Sequence, residues 1–224
     1  MEYRAKPVPC SRFFRNRGFF GALLDRVIPA LLEGISGDRP VRIVSAGCGR
    51  GEEPYSLALA LAGRFGPEFA RGRFEILGLD ADAEALSQAR RGAFGAHQME
   101  GVPPVWRERW FEPARGGLWR VRAELKGALR LEAGDLLLPW DVPLPCHLVL
   151  LRNVCLYLSP GGREEVHERA RAALAPGGFL ALGQSESLPE AGKGLWEPFD
   201  RLQRIYRKPA PGRARVAGVP AARG

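Results

Sequence analysis

An apolar run from Val41 to Ala46 leads directly into Gly47-Cys48-Gly49-Arg50-Gly51, and Glu52-Glu53-Pro54-Tyr55-Ser56 opens an amphipathic stretch behind it. Few patterns confine a chain so tightly. A buried strand, a glycine turn and a helix in that order form the ligand cradle of an open α/β sheet, because glycine lets the backbone approach a bound group closely. The same alternation continues downstream. Apolar spacing predicts helices over residues 19–32, 53–65 and 162–174, and Asp82 caps a further helix running to Arg90. Apolar runs predict strands over 74–79, 146–151 and 179–183, with weaker ones over 118–122 and 128–132 and a last strand over 201–207 near the sheet edge. Residues 92–117, which hold Trp106, Trp110 and Phe111, read as irregular with a short helix or two. Strands alternating with helices imply a mostly parallel sheet covered on both faces.

The two glutamates narrow the choice of ligand. Free N–H groups and the positive dipole end of a helix attract phosphate, but Glu52 and Glu53 occupy that end and would repel one. An adenosine carrying a positive charge fits better, and S-adenosylmethionine is such a ligand. Asp80 ends the strand after the glycine turn, where an acid accepts hydrogen bonds from ribose hydroxyls. Asp82 is already available as the helix cap, which favours the ribose role for Asp80. Asp135 follows the weak strand at 128–132 and, with its apolar neighbour Leu136, reads either as part of an adenine sandwich or as a plain loop aspartate. Arg152 and Asn153 close the strand at 146–151, on the side of the sheet where ligands sit. Tyr157 reads as a second contributor to that crevice or as a core tyrosine with a satisfied hydroxyl. Gly183-Gln184-Ser185-Glu186 either lines the cleft or forms a turn. Ser11-Arg12-Phe13-Phe14-Arg15 stands ahead of the first helix, where buried phenylalanines would pin a segment whose polar residues face a ligand or solvent.

Composition excludes several other classes. In 224 residues, 46% are apolar and 26% charged, as in a globular protein with one core. No apolar run approaches the roughly 18 residues needed to span a bilayer, and the N-terminus lacks the apolar centre of a secretion signal. Membrane insertion is not expected, and the cytoplasm is the expected compartment. Cys10, Cys48, Cys146 and Cys155 form no C-x-x-C pair and have no histidine at ligand spacing, which speaks against a metal site or a disulfide framework. The net charge of +8 is concentrated in residues 207–224, where Arg207, Lys208, Arg213, Arg215 and Arg223 stand without an acid. Nucleic acid is therefore not an expected partner. The histidines His97, His147 and His167 lie in unrelated contexts and suggest no catalytic triad.

Taken in order, these motifs resemble the CheR-type chemotaxis-receptor methyltransferases, which methylate receptor glutamates with S-adenosylmethionine. Ser11-Arg12-Phe13-Phe14-Arg15 is similar to the family's T-x-F-F-R, and Gly51-Glu52-Glu53-Pro54-Tyr55-Ser56 to its G-E-E-P-Y-S. Asp80-Ala81-Asp82 stands for D-x-D, Arg152-Asn153-Val154 with Tyr157 for R-N-V-x-x-Y, and Gly183-Gln184-Ser185-Glu186 for G-H-S-E. The resemblance implies a Rossmann-like class I methyltransferase fold, with a mostly parallel seven-stranded sheet and a small inserted β-rich segment. It implies that Ser11, Arg15, Gly47, Glu53, Asp80, Asp135, Leu136, Arg152 and Asn153 surround the cofactor, with Arg15 and Tyr157 close to the transferring methyl group.

The implied organisation is a cofactor-contacting segment at residues 1–17, the methyltransferase domain at 18–208 and a basic disordered tail at 209–224. The implied partner is a protein bearing acceptor glutamates, of the chemoreceptor kind; the sequence is silent on oligomeric state. There are departures: Ser11 stands where the family has threonine, Asp135 where it has asparagine and Gln184 where it has histidine. The helical domain that usually precedes T-x-F-F-R is expected to be absent, since ten residues stand ahead of Ser11. Two alternatives remain open at this level: a same-fold methyltransferase acting on a small molecule or another protein, and a non-catalytic S-adenosylmethionine-binding module.

Overall fold

The computed structural model describes residues 11–37 and 39–210. Cys10, most of the expected leading segment and most of the expected tail fall outside the described residues.

The chain enters through α1 (Arg17–Ala22), a π-helical turn (Leu23–Val27) and α2 (Ile28–Gly34), then β1 (Val41–Ala46) and α3 (Glu52–Arg64). The short α4 (Gly66–Ala70) leads to β2 (Phe74–Asp80) and α5 (Ala83–Arg91). An excursion follows, made of β3 (Ala93–Phe94), α6 (Ala96–Met99), α7 (Pro104–Trp110), β4 (Phe111–Ala114), β5 (Leu118–Val121) and α8 (Ala123–Lys126). The main sheet resumes with β6 (Leu129–Ala133), β7 (Cys146–Leu151), α9 (Pro160–Ala173), β8 (Leu174–Leu182), β9 (Glu197–Asp200) and β10 (Ile205–Arg207).

Seven strands pair in the order β6-β2-β1-β7-β8-β10-β9, and β3-β5-β4 form a separate antiparallel sheet. The pairs from β6 through β8 are parallel, whereas β10 runs antiparallel to both β8 and β9. Register explains why the sheet buries both faces. Ile76, Ile43, Leu148 and Phe179 lie in one row across four strands and point to the layer holding α1, α2 and α3. One residue further on, Leu77, Val44, Val149 and Leu180 form the next row and point to the layer holding α9. All eight are at most 5% exposed, and each contributes on the order of 2 kcal/mol through burial. A one-residue slip in any strand would move its row to the wrong layer.

The expected architecture is present, including the inserted β-rich segment, with local differences. The helix expected over 19–32 carries a π turn in its middle. The strand expected over 201–207 is confined to Ile205–Arg207, because residues 201–204 turn back from β9. The outermost strand, β9, was not among the expected strands, and it contains Pro198. An edge strand tolerates proline because one side of its backbone has no strand to pair with. Arg26 on the π turn holds the hairpin, with its guanidinium donating to the Asp200 carboxylate at 2.8 Å and to the Phe199 carbonyl at 3.2 Å.

Candidate active site

A cleft of about 820 Å³ opens beyond the carboxyl ends of β1, β2 and β7. Its lining includes Ser11, Arg15, Gly47, Glu53, Asp80, Arg152, Asn153 and Tyr157. These residues come from four separate parts of the chain.

The glycine turn forms the floor. Gly47 has φ +75°, and a Cβ there would overlap the Val154 side chain. Absence of a side chain thus lets the loops after β1 and β7 touch. Asp80 accepts from the Gly49 N–H at 2.7 Å through one oxygen and from the Asp82 N–H at 2.9 Å through the other. Each oxygen keeps a lone pair for a ligand hydroxyl. Asp82 caps α5 through the N–H groups of Glu84 and Ala85, so the two aspartates divide the work as expected. Burial and the carboxylates of Asp80 and Glu53 hold the Cys48 thiol in its protonated form, far above the usual range.

The two glutamates expected at the positive end of α3 both have side-chain partners. Glu53 receives Arg152 Nη1 at 2.8 Å and the Ser45 hydroxyl at 2.9 Å. The Arg152 guanidinium also lies 4.1 Å from the Phe19 ring centroid. Glu52 is 2% exposed and takes the Gln98 amide at 2.6 Å. Phosphate is disfavoured for a second reason: an N–H of the glycine turn is already taken by the Asp80 carboxylate.

The segment ahead of α1 lies along the cleft mouth. Phe13 is fully buried, edge-on to Phe94 and Phe111 at 4.8 and 5.7 Å between centroids. Its N–H donates to the Gln98 carbonyl at 2.9 Å, and the Phe14 N–H donates to the Ser56 hydroxyl at 2.9 Å. Arg15 is left exposed in the cleft and makes no hydrogen bond or ion pair among the described residues. Tyr157 is 49% exposed on a 3₁₀ turn (Cys155–Tyr157), which removes the core-tyrosine reading.

Asp135 and Leu136 stand apart from the other candidates. Asp135 is exposed and turns its carboxylate to the Leu137 N–H of its own loop at 2.9 Å, while Leu136 is buried in the α9-side core. Neither lines the cleft. The loop is nonetheless close by, because the Gly134 N–H donates to the Asp80 carbonyl at 3.0 Å.

Two residues had no clear sequence signal. Gln98 links the mouth segment, Glu52 and the Gly95 N–H, the last at 2.9 Å. Glu186 is 4% exposed and sits beneath the turn that follows β7. Its place in Gly183-Gln184-Ser185-Glu186 was the available hint.

The sequence model of the family described as "CheR methyltransferase, SAM binding domain" matches residues 10–198. The chain belongs to the CheR methyltransferase family. It is 31% identical over 190 residues to a probable chemotaxis protein methyltransferase of Rhizobium etli, covering 84% of this chain and 70% of that protein. It is 33% identical over 178 residues to a chemotaxis protein methyltransferase of Listeria innocua, covering 80% and 65% respectively. The chain thus spans about two thirds of the length of these CheR relatives. A solved structure of a possible exported protein from Bordetella parapertussis shares the fold, with TM-score 0.52, 17% identity and coverage of 88% of this chain and 67% of that one. The cofactor of the CheR domain is S-adenosylmethionine. The cleft suits it in size, in the spare lone pairs on Asp80 and in the buried Arg152 Nε, which has no hydrogen-bond partner among the described residues.

Proposed function

We propose that this chain transfers a methyl group from S-adenosylmethionine to a glutamate side chain of a chemoreceptor-like signalling protein. The observation that carries this reading is the convergence of Arg15, Asp80, Arg152, Asn153 and Tyr157 on one cleft. The cofactor supplies an electrophilic methyl on a cationic sulfur. In this reading Ser11, Gly47, Glu53, Asp80, Arg152 and Asn153 surround it, and Asp80 accepts from the ribose hydroxyls. Asp135 and Leu136 join them only after a change in their loop.

The acceptor needs little acid–base help, because a glutamate is ionised near neutral pH. The work left to the protein is to align one carboxylate oxygen with the methyl–sulfur axis and exclude water. Arg15, exposed at the mouth and without an ion pair among the described residues, orients the acceptor and restrains its charge. Tyr157 offers its hydroxyl to the same carboxylate. A direct bidentate clamp by Arg15 would quench the nucleophile, so its contact is partial.

Residues 18–208 form the catalytic domain in this proposal, with 11–17 as the strap that carries Arg15. Cys48, Cys146 and Cys155 are buried free thiols, which supports a reducing compartment, the cytoplasm. The test is transfer of tritiated methyl to chemoreceptor cytoplasmic fragments, with release of volatile label by mild base as the readout for an ester. Base-labile counts that vanish when the acceptor glutamates become alanine support the reading. Cofactor binding without any counts rejects it.

A further inference from the structure

We propose that Glu186 is a positioning residue for methyl transfer: its carboxylate gathers four backbone N–H groups and so presents Arg152, Asn153 and Tyr157 to the cleft. The inference rests on the catalytic reading above for its consequence, and on geometry alone for its cause.

One carboxylate oxygen receives the N–H groups of Val154 and Cys155, both at 2.8 Å. The other receives those of Asn153 and Gly183, both at 2.7 Å. A carboxylate offers about four lone-pair sites, so Glu186 is filled from within. It has no capacity left to act as a base or to touch a ligand, and it does not line the cleft. Its influence passes through the turn it holds.

That turn needs holding. Asn153 has φ +61°, a left-handed conformation that asparagine tolerates better than most residues with a side chain but that takes the backbone out of the strand and leaves its N–H groups without ladder partners. The N–H groups of three consecutive residues point the same way there, into the protein, where no strand or helix pairs them. A concave row of N–H groups of this kind is a site for an anion, and here the chain supplies its own. Access depends on Gly183, where a Cβ would come within 2.5 Å of Glu186 Oε2. Arg204 fixes the other end of the brace, donating to the Glu186 carbonyl at 2.7 Å. Arg152 precedes the turn and Tyr157 ends it, so both leave from a backbone whose direction the carboxylate sets.

Glu186→Gln keeps the shape and replaces one acceptor oxygen with an NH₂ group that faces two N–H donors. In the full chain, affinity for S-adenosylhomocysteine measured by calorimetry should fall tenfold or more. Turnover at saturating cofactor should fall at least as much. The ¹⁵N-resolved amide protons of Asn153, Val154 and Cys155 should move upfield, as expected when a charged acceptor is lost. Leu188→Ala serves as the control for general loss of stability: it is buried, two residues away in sequence, and its side chain has no group to hydrogen-bond the carboxylate. At a matched fall in melting temperature it should leave affinity within twofold and those amide shifts in place.

If Glu186→Gln does not fold, Glu186→Asp takes its place with the same readouts. Affinity and turnover of the Glu186 variant within twofold of wild type would overturn the proposal, as would an equal loss in Leu188→Ala. The amide shifts are read without substrate or cofactor. A wild-type chain that fails to methylate receptor fragments therefore counts against the proposed function and leaves the test of Glu186 intact.

Discussion

Substituting Gly47 by alanine tests whether the loops after β1 and β7 are truly packed against each other. Two costs arise. The backbone at φ +75° is left-handed, which penalises a residue with a Cβ by about 1–2 kcal/mol. The new methyl also overlaps Val154 Cγ2 and stands 3.1 Å from Cγ1, an overpacking that costs about 1–3 kcal/mol. Together Gly47→Ala should lose about 2–5 kcal/mol. Val154 is 7% exposed, and Val154→Ala removes two methyls worth roughly 1.6 kcal/mol.

The double variant keeps the backbone strain and the lost methyls but relieves the overlap. It should therefore be more stable than the sum of the single changes by about 1–3 kcal/mol. Urea unfolding of all four proteins, followed by far-ultraviolet circular dichroism, measures the cycle. Strict additivity within about 0.5 kcal/mol would refute the packing argument. A loss of less than about 1 kcal/mol in Gly47→Ala alone would refute the conformational one.

Arg15→Ala should cut methyl transfer about 10–100-fold, the worth of one charge-assisted hydrogen bond in the transition state, with the melting temperature unchanged; equal turnover would remove Arg15 from the mechanism. Arg152→Ala leaves the Glu53 carboxylate with the Ser45 hydroxyl alone and should cost about 3 kcal/mol in urea unfolding, near the low end for a broken buried pair; a loss below about 1 kcal/mol would mean the pair behaves as a surface contact. His167 has its pKa pushed down to about 4 by burial, so the neutral ring is accommodated above the unfolded value and stability is lost as pH falls from about 6.5 toward 4. Between pH 7.5 and 5 the wild type should lose about 2 kcal/mol more than His167→Leu, and parallel pH profiles for the two would contradict this.

The sequence was most legible where one stretch of chain does one job. β1, the glycine turn and α3 could be read because the apolar run, the small residues and the polar opening are contiguous. β7 was legible because a strand buried on both faces has no polar alternation to confuse it. α9 began earlier than expected, at Pro160, because Ser159 caps it by accepting the Gly162 N–H and glycines at 161 and 162 look like a loop. Relations between distant residues stayed hidden. Nothing local to Glu53 announces its pairing with Arg152, 99 residues away. Glu186 reads as part of a turn because its partners lie 31 to 33 residues upstream. Asp135 shows the opposite limit: a motif position marks a neighbourhood, and the local bond to Leu137 decides where the side chain points.

The hairpin that closes the sheet has a consequence for behaviour at high concentration. Naked strand margins are templates on which further copies can stack into fibres. On one margin, β9 carries Pro198, and Arg26 occupies the Phe199 carbonyl. On the opposite margin, β6 bears Arg130 and Glu132, and Arg90 occupies the Leu131 carbonyl at 2.7 Å. Both borders are thereby blunted by charge and by guanidinium groups, which guards a seven-stranded sheet against polymerising edge to edge.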